Sequence, residues 1–114
     1  MTFYKVNFAL ATNEDLRQMF VLSDSSGQAL NLANASLRMS LEPSTGSEDV
    51  LVLSSNTTGI TIVEAEAGAF ELAAPASTIG ALAPGVYYHD LLLSLDGREL
   101  RIWEGTLHLE KGIS

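Results

Sequence analysis

The chain contains no cysteine, which excludes a disulfide framework and thiolate chemistry. Basic residues are few: six Lys and Arg stand against 14 Asp and Glu, for a formal net charge of −8. Nucleic-acid binding needs clustered cations to neutralise phosphates. Here only Arg98 and Arg101 lie close together, with Glu99 between them, so no nucleic-acid partner is expected. Long hydrophobic runs are missing too. No stretch reaches the roughly 20 apolar residues of a membrane helix. Residues 1–8 contain no basic segment leading into an apolar run, so neither a signal peptide nor a membrane partner is expected. Charged residues make up only 18% of the chain, below the usual quarter or so. The apolar fraction is an ordinary 46%. With charge scarce, either apolar surface faces another chain or the surface is rich in Ser, Thr, Asn and Ala.

What is present is enough for one domain, residues 1–114, with a core that needs no staples. The pattern is a succession of short strands. Alternation from Thr2 to Leu10 gives a first strand, broken at Thr12–Asp15, where Asn13 or Asp15 is placed to cap a single helical turn. Residues 16–23 read as a strand apolar on both faces, and Asp24–Gly27 as a turn. A short strand over 28–32 then carries Leu30 and Leu32 inward. Ser36–Glu42 alternates Leu37, Met39 and Leu41 against Arg38 and Ser40, the mark of a half-buried strand. A polar loop over 43–49 follows, then strands at 50–53, 60–63 and 69–74, the last ended by Pro75. Glu64 and Glu66 read as a solvated strand edge. Residues 76–82 form a crossover with one helical turn. The expected fold is all-β: a single antiparallel β-sandwich of immunoglobulin-like architecture, with a jelly roll or small barrel as the alternative.

Catalytic and metal chemistry find no support. Neither a nucleophile elbow nor a phosphate loop is present, since Gly80 and Gly85 precede no Lys-Ser/Thr pair. The acidic pairs Glu14-Asp15 and Glu48-Asp49 supply too few oxygens for a calcium loop. His89 and His108 lie one on each strand of a terminal hairpin. Counting outward from a two-residue turn puts His89 opposite Glu104, an arrangement that reads as a cross-strand pair on a sheet surface. No catalytic residue, metal or cofactor is assigned.

The terminal hairpin carries the most information. Asp96-Gly97 between two apolar runs signals a type I′ turn, whose central residues both need φ > 0. Tyr87, His89, Leu91, Leu93 and Leu95 share the core face. Tyr88 and Leu92 then fall outside, with Ile102 or Trp103 across from them depending on register and on any bulge near Gly105. An outer patch of Tyr and Leu suits the centre of a protein–protein interface. The sequence Pro84-Gly85-Val86-Tyr87, the strand Asp90-Leu91-Leu92-Leu93, the turn Asp96-Gly97 and the pair Gly105-Thr106 together resemble the C-terminal end of small all-β phage virion proteins of the tail, neck and baseplate. The resemblance covers the last quarter of the chain. It implies a non-enzymatic structural protein of the virion, made in the host cytoplasm. It would act through contacts with other virion proteins, as a homo-oligomer or in many copies. The expected interface comprises Tyr88, Leu92 and Trp103 with Ser44, Thr45, Ser47 and Glu48 of the polar loop. A capsid decoration protein, or a β-sandwich module binding carbohydrate or peptide, is the alternative.

Overall fold

The computed structural model describes residues 4–24, 26–43 and 48–112. Nine strands occur among them: β1 (Tyr4–Lys5), β2 (Phe8–Ala11), β3 (Leu16–Val21), β4 (Ser36–Glu42), β5 (Leu51–Ser54), β6 (Ile60–Glu64), β7 (Ala69–Ala74), β8 (Gly85–Leu95) and β9 (Arg98–Glu110). One helical turn, α1 (Ala76–Ile79), precedes β8. The strands form two sheets. The larger runs β1-β9-β8-β4-β5, with β2 continuing along the same side of β9 as β1, and the smaller runs β3-β7-β6. The architecture is therefore the expected all-β, two-sheet one.

The long hairpin β8–β9 organises the larger sheet. Its turn has Asp96 at φ 53° and Gly97 at φ 76°, as a type I′ turn requires. At its entry the Tyr87 hydroxyl donates to the Ala83 carbonyl across the Pro84–Gly85 corner, a tie of the kind found in immunoglobulin-like sandwiches. Leu91 pairs with Trp103 while Leu92 pairs with Arg101, so Ile102 is an extra residue, a bulge. Every position beyond it shifts by one. His89 therefore faces Gly105, and Asp90 takes the place opposite Glu104, which corrects the simple outward count. The bulge also brings both Ile102 and Trp103 into the core.

The first strand of the sequence is broken in two. Val6 and Asn7 leave the ladder between β1 and β2, and both pieces run parallel to β9. Gly105 lies beneath the break, where a Cβ would run into the Val6 carbonyl. The Asn7 side chain takes up the donors this frees: its Oδ1 accepts from the Thr106 amide at 3.0 Å and from the Thr106 hydroxyl at 3.1 Å.

The alternation read in β4 and β8 delivers the core. Leu37, Met39, Leu41, Leu91 and Leu93 are buried from the larger sheet, and Phe70, Leu72 and Ile60 from the smaller. Between them an aromatic group forms, with Phe20 4.7 Å from Trp103, 5.5 Å from Phe70 and 6.2 Å from Phe8 by ring centroids. Two expectations change. Residues 28–32 contain no strand, although Leu32 is buried and Leu30 packs against the core. Glu66 shares no strand face with Glu64, because residues Ala65–Ala67 close into a 3-10 turn ended by Gly68 at φ 70°.

Candidate functional site

The outer face of the larger sheet is built by three strands in register. Because β4 turns Leu37, Met39 and Leu41 inward, Arg38, Ser40 and Glu42 point out. On β8 the outward set is Tyr88, Asp90 and Leu92. Pairing aligns these in rows across β4, β8 and β9: Arg38–Leu92–Arg101, then Ser40–Asp90–Glu104, then Glu42–Tyr88–Thr106. A groove of about 350 Å³ runs over the rows.

Leu92 thus lies between two arginines in register across the three strands. It is half-buried rather than bare. Tyr88 is 41% exposed. Arg101 Nε stands 3.6 Å from Asp90 Oδ2, and Arg38 Nη2 stands 3.5 Å from Asp49 Oδ2 of the loop. Pairs this exposed contribute little stability, about 0–1 kcal/mol each. They act by orientation: both guanidinium groups are held beside Leu92, and the carboxylates of Asp90, Glu104 and Glu42 lie further along the groove. The face is therefore polar and bipolar around a narrow apolar centre, a pattern suited to reading a complementary charged partner.

The expected interface residues separate. Tyr88 and Leu92 share the outer face as read. Trp103 does not: it is 2% exposed and packs on Phe20 and Phe70, because the bulge at Ile102 turns it inward. Glu48 is exposed in the loop beside Asp49. Ser44, Thr45 and Ser47 lie outside the described residues. Arg38, Asp49 and Arg101 escaped the sequence reading. Arg38 was visible as an outward position of an alternating strand, whereas its pairing with Asp49 depends on how the loop folds back.

The two histidines end on opposite faces. His108 is exposed opposite Val86. His89 is buried, its ring centroid 5.2 Å from that of Phe8 and its Nε2 3.3 Å from the Thr106 carbonyl. A carbonyl only accepts, so Nε2 carries the proton, and Nδ1 is left buried without a partner among the described residues. Burial lowers the imidazole pKa below its usual 6.5, against weaker opposing effects of the Thr106 and Val6 backbone and of Asp90. His89 thus lies on the core face as the alternation of the hairpin has it, and the surface His–Glu pair does not form, since Gly105 rather than Glu104 lies opposite. Among the described residues no three His, Asp or Glu side chains converge as metal ligands would.

No protein-family model matches the chain, and a search of curated proteins finds no relative. Among solved structures it is similar to the N-terminal domain of phage TP901-1 ORF48, with a TM-score of 0.58 and 14% sequence identity, over 91% of this chain and 84% of that one. At that identity the likeness is one of fold.

Proposed function

We propose that the chain is a non-enzymatic structural module of a phage particle, a tail, neck or baseplate component held among other virion proteins by surface complementarity. The observation that carries this reading is the match in fold, over nine-tenths of the chain, to a domain of a phage protein. The hairpin resemblance to tail and baseplate proteins points the same way. The contact surface is the outer face of the larger sheet. Tyr88 and Leu92 form its apolar centre, and Arg38, Arg101, Asp90 and Glu104 set the orientation of the neighbour.

Mass spectrometry of density-purified particles of the encoding phage is expected to recover the chain in a fixed ratio to other virion proteins. Leu92→Asp places a carboxylate between Arg38 and Arg101 and removes the apolar centre, and its circular dichroism spectrum is expected to match the wild type. Particles assembled with that variant are expected to lose the chain. Particles that never contain the wild-type chain would sink the reading.

A further inference from the structure

The smaller sheet ends in β3, whose far side makes no backbone hydrogen bond among the described residues. Unprotected strand edges invite pairing, and proteins guard them with proline or charge within the strand, bulges or short length. The other edges here carry such guards. The β1–β2 edge is broken at Val6–Asn7, β5 is four residues long, and β6 has a register irregularity between Ile62 and Glu64. By contrast, β3 runs six residues with no proline and an unbroken register against β7. Its single charge, Arg17, is turned aside to Glu71 at 3.2 Å. Met19 and Val21, 50% and 67% exposed, stand on its outer face. Phe20, half-buried, fills the inner side against Phe70 and Trp103.

The charges at the ends of β3 select the occupant. Glu14 precedes the strand and is fixed by accepting the Ala11 amide at 2.8 Å. Asp24 follows it and is fixed by accepting from the Ser26 hydroxyl and amide and the Gln28 amide. A second copy pairing antiparallel about Met19 would set Glu14 opposite Asp24 at both ends. Like charges placed directly opposite are destabilising, and each copy carries a net charge of −8. A strand with an apolar middle and a cation at each end meets no such conflict.

We propose that the free edge of β3 is a strand-addition site, which accepts from another virion protein an extended segment that is apolar in its middle and bears Lys or Arg at both ends. Main-chain hydrogen bonds would supply the register, Met19 and Val21 the apolar contact, and Glu14 and Asp24 the end charges. The site rests on the assembly reading and adds to it a second surface, on the sheet opposite the Tyr88–Leu92 face.

The test is amide hydrogen exchange on the full chain with the eleven-residue peptide Lys-Val-Thr-Val-Thr-Val-Thr-Val-Thr-Val-Lys, whose ends reach Glu14 and Asp24 when it is centred on Met19, and with its twin ending in Glu at both ends. The basic peptide is expected to slow exchange within residues 16–21 about tenfold or more, less so in high salt, and the acidic twin to leave it unchanged. Val21→Lys, at an exposed position that tolerates the change, is expected to weaken protection by the basic peptide and to favour the acidic one. Equal protection by both peptides, protection confined to β5 or to the outer face of the larger sheet, or no protection at saturating peptide would overturn the proposal. So would self-association of the free chain that protects 16–21, which would make a second copy the occupant. If β3 stays unprotected while Leu92→Asp still drops the chain from particles, the strand-addition site falls and the assembly reading stands.

Discussion

His89 spends burial on a group that water would hold better, and this makes it a stability-determining titratable residue. Its folded pKa lies below the 6.5 of an exposed imidazole because burial disfavours the cation. Above pH 6.5 the folded and unfolded states are both neutral at this position, and the group adds no pH dependence. As pH falls below that value the unfolded chain takes up a proton first, so stability is lost until the folded pKa is reached. The wild type's stability to urea is expected to fall as pH drops below 6.5. His89→Leu, which fills the same site beside Phe8 without a titrating group, is expected to flatten that part of the profile. An unchanged slope in the variant would assign the loss to carboxylates. At this scale some residues were legible and others were not. Asp96 and Gly97 announce their own φ angles, because a turn is a local object. The alternation of β8 already set His89 on the core face, but its cross-strand neighbour was not legible, since the bulge at Ile102, thirteen residues further along the chain, puts Gly105 rather than Glu104 opposite it.

Elements were legible where period and length agreed. The alternation over Ser36–Glu42 is the observed β4 to the residue, and Pro75 ends β7 as a residue without an amide must. The hairpin register was not legible, because either Ile102 or Trp103 satisfies the pattern. The choice is made by packing: bulging Ile102 lets Trp103 join Phe20 and Phe70 while Ile102 also stays buried. The turn α1 shows a different limit. Its N-cap position is Pro75, which has no capping side chain, and the Ala76 amide instead donates to Asp15 Oδ1 at 2.6 Å, from 61 residues away. Asp15 was read as a cap, but for a turn of its own. Asp15→Ala is expected to cost about 1 kcal/mol, seen as a lower urea midpoint with an unchanged m-value. A change below about 0.3 kcal/mol would show that water replaces the carboxylate.

For the whole molecule, the decisive contact joins the two ends of the described chain. Val6 donates to the Glu104 carbonyl, Asn7 accepts from Thr106 at a separation of 99 residues, and Phe8–Ala11 pairs with 107–110. Gly105 permits this closure because it has no side chain to meet Val6. Gly105→Ala is expected to cost roughly 1–3 kcal/mol and to speed amide exchange in 8–11 while leaving β4 and β7 protected. Equal loss of protection throughout would mean that the first strand is not separable from the fold. Parallel pairing of the first and last strands also fixes how the molecule bears load. A pull applied through its two ends draws β2 and β9 past one another along their length, so the ladder between them must give way as a set rather than one bond after another. A module tied into a particle at both ends would then resist tension through the same few hydrogen bonds that Gly105 makes room for.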